Sequence, residues 1–124
     1  MVDFKSSNAF QYQIQLPITG KILVLLKGRL LELAQGMALH ADLQKTIENM
    51  ESANVLLNLQ NLEFINSEGL NALIRCLSLV RKNGGELCLF NPNQNLKNLF
   101  LSTRLNEVFD SVEDFDAWLK LPKQ

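Results

Sequence analysis

The run Val55–Phe90, VLLNLQNLEFINSEGLNALIRCLSLVRKNGGELCLF, decides the fold. It overlaps Asn54–Leu59 (NVLLNL), a short apolar segment bounded by polar residues. Such a segment reads as a central strand buried on both faces. Leu70, Leu73, Ile74, Leu77 and Val80 then recur at spacings of three and four, the pattern of an amphipathic helix. Asn83-Gly84-Gly85 stops that helix, because glycine readily takes the left-handed conformation a helix end prefers. Glu86–Phe90 (ELCLF) is a further strand. Strand, helix, strand in that order is the unit of a parallel sheet.

Working outward, Gln11–Pro17 alternates, with Tyr12, Ile14 and Leu16 on one side, as a half-buried strand does. Thr19-Gly20-Lys21 is a turn and Ile22–Lys27 a second strand, so the two form an antiparallel hairpin that Gly28 ends. Leu30–Met50 reads as helical, with Leu43, Ile47 and Met50 on one face and Gly36 weakening its start. After Phe90, Asn91-Pro92-Asn93 turns the chain, and Leu96, Leu99 and Phe100 mark a shorter helix to about Thr103. Glu107–Phe109 reads as a short edge strand. Ser111, with Asp114 three residues on, resembles a capping box for a last helix. Phe115, Trp118 and Leu119 of that helix face inward, and Pro122 ends it. The elements follow one another without repeat, low-complexity tract or linker. They predict one α/β domain over 1–124, with its core at 10–121 and a mixed, mostly parallel sheet opened by the hairpin.

Composition narrows the function. At 124 residues the chain has room for one real core, and 47% hydrophobic with 20% charged residues is ordinary for a soluble globular protein. The net charge of -1, with Lys and Arg scattered, argues against nucleic acid and anionic membranes as partners. Met1–Phe10 is polar and mixed, so no secretory signal is expected, and no apolar run is long enough to cross a bilayer. These features point to a cytoplasmic protein. Cys76 and Cys88 lie in apolar periodic stretches and are expected to be reduced thiols. His40 is the single histidine and has no partner ligand in sequence, so no metal site or cofactor is expected.

Three roles are open to Ser67, at the junction Asn66-Ser67-Glu68-Gly69. Asn66 and Ser67 are both good N-cap residues. A nucleophile is disfavoured, since Ile65 stands where G-x-S-x-G needs glycine and only His40 is available as a base. A phosphoacceptor is physically sound: a helix N-terminus favours an anion, and a phosphate adds about 1.5 to 2 negative charges.

The spaced motifs of this run resemble the STAS domains of bacterial anti-sigma-factor antagonists. The match lies in Asn58-Leu59, Phe64-Ile65-Asn66-Ser67-Glu68-Gly69-Leu70, Gly84-Gly85, Glu86–Phe90, and the tail Leu99-Phe100 with Leu105–Phe109. It is strong from Val55 to Phe109 and weaker from Phe10 to Met50. The resemblance implies a phosphoprotein of partner switching in transcription regulation, and not an enzyme. Unphosphorylated, it would bind an anti-sigma factor that is a serine kinase with an ATP-binding fold. Phosphorylation of Ser67 would release it, and a PP2C-type phosphatase would reset it. The partner-binding loop implied comprises Asn58, Asn66, Ser67, Glu68 and Gly69. The alternative is a STAS scaffold without a switch, or a small subunit of a lipid-transport or signalling complex. Asn58 has two readings, a strand-end residue that bonds the next loop or a wall of the phosphoacceptor pocket. Glu68 reads as a favourable charge in the first helical turn. Three positions depart from the family pattern: Asn66 for the usual Asp, Arg104 for the glycine before Leu105, and Gly28–Glu32 with its acid one place late.

Overall fold

The computed structural model describes residues 5–6 and 9–121. Within them, six strands form one sheet whose spatial order is the chain order: β1 (Lys5–Ser6), β2 (Phe10–Gln15), β3 (Lys21–Leu30), β4 (Asn54–Ile65), β5 (Leu87–Phe90) and β6 (Asp110–Val112). The pairs β1/β2 and β2/β3 are antiparallel, and β3 through β6 are mutually parallel. Helices α1 (Leu33–Ile47), α2 (Ser67–Lys82) and α3 (Gln94–Ser102) make the parallel crossovers, and α4 (Phe115–Lys120) closes the description.

A sheet that never reverses its order, linked by crossovers of one hand, puts every crossover helix on one face. The core divides accordingly. Ile22, Val24, Val55, Leu57, Leu87 and Leu89 of the sheet pack with α1, α2 and α3. The alternate residues, Leu23 and Leu56, pack with Trp118 of α4. Each fully buried side chain of this size contributes on the order of 1.5–3 kcal/mol. Lys21, only 3% exposed, ties the second face down: its Nζ donates to the Trp118 carbonyl at 2.7 Å and lies 4.9 Å from the centre of the Trp118 ring. Burial pushes the Lys21 pKa down. Trp118 is thus the anchor of the last helix. On the first face, a Cβ on Gly36 would stand 2.5 Å from the Ala72 Cβ. The glycine costs helix propensity but lets α1 and α2 approach closely.

Several boundaries differ from the sequence expectations. Gly28 does not end β3. It adopts φ +93 inside the strand, and the Arg29 N–H bonds the Ala9 carbonyl at 2.8 Å. Leu30 is therefore a buried strand residue, and α1 begins at Leu33 after Glu32 and ends at Ile47, short of Met50. β4 does not stop at Leu59 but runs to Ile65. Glu107–Phe109 is not a strand: a 3-10 turn occupies Leu105–Glu107, and the edge strand comes later, at Asp110–Val112. Ser111 lies in that strand and does not cap α4. Asp114 caps it by accepting from the Asp116 N–H. Pro122 lies outside the described residues.

Cys76 and Cys88 are free thiols. Burial pushes Cys76 up to about 12. Burial first, then the carboxylates of Asp110 and Glu86, push Cys88 up to about 11, from a usual value of 9.0. At pH 8 the Cys88 thiolate fraction is then roughly 100-fold below that of an ordinary thiol. Alkylation by iodoacetamide at pH 8 should be slower by about that factor in the native protein, approach the ordinary rate in urea, and accelerate in the native state as the pH is raised toward 11.

Arg104 holds a left-handed conformation, φ 62, directly after the Thr103 cap of α3. A side chain there costs on the order of 1 kcal/mol against glycine. Its exposed ion pair with Glu107, 3.2 Å, returns only a few tenths of that. Arg104→Gly is expected to stabilise the protein by roughly 0.5–1 kcal/mol, read as a higher urea midpoint.

Candidate functional site

The site begins with an irregular strand pair. From the Leu25–Asn58 pair to the Leu30–Ile65 pair, β3 advances five residues (30 − 25) and β4 seven (65 − 58). Two extra residues in β4 are accommodated by register shifts, at Leu25/Lys27 and Gly28/Arg29 of β3. Leu59, Leu62 and Ile65 stay buried while Gln60, Asn61, Glu63 and Phe64 face solvent. Both strands thereby finish side by side, well beyond the end of β5.

Asn66 follows at the N-cap of α2. Its Oδ1 accepts from the Gly69 N–H at 3.1 Å, and its Nδ2 donates to the Leu31 carbonyl at 3.0 Å. The Leu70 N–H goes to the Asn66 carbonyl at 2.9 Å. Leu31 is held from its other side, because Gln35 Oε1 accepts from the N–H groups of Leu31 and Glu32, each at 3.0 Å. Gly69 completes the junction. A Cβ on it would stand 2.4 Å from the Leu30 carbonyl oxygen and 2.9 Å from Ile65 Cβ, so only glycine allows α2 to start this close to β3.

Ser67 is not the cap. It is the first residue of α2, it is exposed, and its hydroxyl makes no hydrogen bond among the described residues. Its N–H and that of Glu68 belong to the first helical turn, which has no intrahelical acceptors for them. Glu68 is exposed beside it, at the positive end of the helix dipole. His40 lies half-buried in α1 and is not hydrogen-bonded to Ser67. Among the described residues no cluster of His, Cys, Asp and Glu could hold a metal, and no helix is long and apolar enough to cross a membrane. What the junction offers chemically is an uncommitted hydroxyl at a helix N-terminus, on a backbone fixed by its neighbours.

The structure brings Asn66, Ser67, Glu68 and Gly69 together. Asn58 sits at the first register shift, opposite Phe90 of β5, and its Oδ1 accepts from the Gln60 N–H at 3.0 Å. Along β3, roughly 15 Å of extended chain separates its level from that of Ile65. Other members of the site were not singled out from sequence. The Leu31 carbonyl is a backbone group with no signature. Gln35, three residues after Glu32, is legible as a capping pair once the helix start is known. Leu33 (50% exposed), Met37 (57%) and Phe64 (47%) put large apolar side chains on the surface at the start of α1 and the end of β4.

The family model of the STAS domain matches residues 2–117. No curated protein matches the chain. Among solved structures, the anti-sigma factor antagonist SpoIIAA in its unphosphorylated form superposes with a TM-score of 0.72 at 17% identity, covering 86% of this chain and 92% of that one. The phosphorylated form, described as a Bacillus cell fate determinant, gives 0.68 at 17% identity, covering 90% and 99%. An anti-sigma factor antagonist from Mycobacterium paratuberculosis gives 0.72 at 17% identity, covering 92% and 94%. Murine Slc26a9, an anion transporter, gives 0.60 at 20% identity, covering 68% of this chain and 14% of that one.

The two bonds of Asn66 predict how an Asp would behave here. Asn66→Asp keeps the acceptor for Gly69 but, once ionised, cannot donate to Leu31 and sets a carboxylate against a carbonyl. It is expected to lose about 1 kcal/mol at pH 7. Part of that loss should return as the pH falls below the carboxyl pKa of about 4, because the protonated acid can donate again. Urea titrations of wild type and variant at pH 7 and at about pH 3 test this; an equal deficit at both values would remove the donor bond from the account.

Proposed function

The chain belongs to the STAS domain family, and from that premise we propose that it is an anti-sigma-factor antagonist whose hold on its partner is set by phosphorylation of Ser67. The observation that carries this reading is the division of labour at the start of α2. Asn66 makes the cap, while Ser67 stands exposed with its hydroxyl uncommitted. Nothing in the fold is lost when that hydroxyl is esterified. The phosphate brings about 1.5 to 2 negative charges to a helix end that favours an anion, so the module stays folded and only its surface changes. The partner is a serine kinase with an ATP-binding fold that also acts as the anti-sigma factor, and a PP2C-type phosphatase restores the free serine. The protein acts in the bacterial cytoplasm as a kinase substrate, not as an enzyme.

The docking surface in this reading combines the Ser67 junction with the exposed apolar side chains at the start of α1 and the end of β4, Leu33, Met37 and Phe64. Dehydrating these side chains supplies affinity, and a dianion brought to the same interface opposes it. The likeness to SpoIIAA, solved in both unphosphorylated and phosphorylated forms, supports the reading. Glu68 then biases the first turn, and Asn58 shapes the strand behind the loop.

A second reading keeps the fold without the switch. Asn66 uses both ends of its carboxamide structurally, which accounts for an Asn at this position without any kinase. A STAS-like unit also makes up a small part of the Slc26a9 transporter chain. Here the chain is a constitutive scaffold or small subunit of a larger assembly, such as one for lipid transport or signalling.

Baits of wild type, Ser67→Ala and Ser67→Glu separate the two in lysate of the native host. The switch predicts an ATP-binding kinase captured by wild type and Ser67→Ala and at least tenfold less by Ser67→Glu, with all three baits equal in stability to within about 0.5 kcal/mol. One partner retained equally by all three would leave the scaffold reading in place.

A further inference from the structure

A crevice of about 480 Å³ opens beyond the C-terminal ends of β5 and β6, against α3. It lies apart from the Ser67 junction and takes no part in the function proposed above. Its floor is apolar: Leu89, Phe100 and Phe109 are buried, with the two phenylalanine rings 5.9 Å apart and tilted by 60°. Leu101, 59% exposed, extends that surface toward solvent. Its rim is polar and uncommitted. Lys97 comes from α3, Glu113 from the segment after β6, and no ion pair joins them. Asn91, Asn106 and Ser111 add two carboxamides and a hydroxyl, and none of these five side chains makes a hydrogen bond among the described residues.

The size lies within the range of small-molecule sites, about 300–1,000 Å³, and an apolar floor with a few convergent polar groups is their usual composition. The charges narrow the ligand. A simple anion drawn to Lys97 meets the Glu113 carboxylate in the same space, and a simple cation drawn to Glu113 meets Lys97. A head carrying both signs satisfies both, and the accessible apolar lining, Leu101 with half-buried Phe90 and Val112, takes an apolar body. We propose that this crevice is a binding site for a small zwitterion with a bulky apolar body, the chemistry of a free amino acid with a large apolar side chain. The carboxylate faces Lys97, the ammonium faces Glu113, and the side chain lies against exposed Leu101 and half-buried Phe90 and Val112.

The test is a titration of the ¹⁵N-labelled protein with L-phenylalanine, followed by amide chemical shifts. Ordinary ligand efficiency for a molecule of this size sets the expected Kd on the order of 1 mM. Shifts should concentrate at Leu101, Phe109, Ser111 and Glu113. Phenylacetate, which lacks the ammonium, and phenethylamine, which lacks the carboxylate, should each bind roughly tenfold more weakly. Lys97→Gln and Glu113→Gln, both at exposed positions, should each weaken L-phenylalanine by a similar factor while leaving the remaining spectrum unchanged. The proposal is overturned by the absence of shifts at 10 Kd of the expected value, by equal binding of the three probes, or by titrations that both substitutions leave unaltered. Ser67→Ala should bind L-phenylalanine as wild type does, so failure of the switch and failure of this site are read separately.

Discussion

The parallel pairing of β3 with β4, carried past the end of β5 with two extra residues in β4, is the constraint on which the junction depends. Were β4 to end at Leu59, the chain would have to reach α2 through a loop whose backbone groups needed other partners. Instead the ladder continues, and each shift re-aims the side chains that follow. The result is that Leu30 and Ile65 are paired, both buried, at the common end of the two strands. Everything chemically interesting at the junction is within a few residues of that pair. Gly69 abuts the Leu30 carbonyl and the Ile65 side chain, and Asn66 reaches the Leu31 carbonyl.

That arrangement settles which residue supports the helix and which remains free. A cap hydrogen bond is worth about 1 kcal/mol, and a buried carbonyl left without a donor costs a comparable amount. Asn66 meets both needs with one side chain, one end on α2 and the other on the β3–α1 connection. Gln35 secures the same connection from within α1. Ser67, next in the chain, is relieved of any structural duty.

The parts legible in the sequence are those where periodicity and burial coincide. The leucine pattern of α2 runs unbroken and its Gly-Gly stop lies where expected; the hairpin of β2 and β3 forms as expected, but β2 ends at Gln15 and Leu16, expected inward with Tyr12 and Ile14, is exposed. The parts that were not legible share a physical cause. In β4 the buried residues Leu59, Leu62 and Ile65 recur at three, because the extra residues break the period of two, so the alternation gives no sign that the strand goes on. Gly28 looks like punctuation but serves a positive φ inside β3. Arg104 occupies a left-handed position that usually advertises itself by glycine, and the 3-10 turn after it displaced the edge strand from Glu107–Phe109 to Asp110–Val112. At the site, the Asn66–Gly69 motif was legible through family resemblance, whereas its counterpart, the Leu31 carbonyl, has no side-chain signature at all.

Because β3 through β6 are mutually parallel, all four bring their C-terminal ends to a single edge of the sheet, and the junction and the crevice both lie on that edge. One carboxamide bonds to elements on both sides. Asn93 caps α3 by accepting from the Leu96 N–H at 2.9 Å, and its Nδ2 donates to the carbonyls of Leu62 and Glu63, each at 3.2 Å. Those carbonyls belong to the last turnless stretch of β4 before Asn66. On the other side, Asn91 and Pro92 form part of the crevice wall, one and two residues from Asn93. A displacement of the α3 N-terminus must therefore either carry the end of β4 with it or break two hydrogen bonds to β4. Asn93 thus ties the N-terminus of α3, at the crevice, to the end of β4, just before the Ser67 junction.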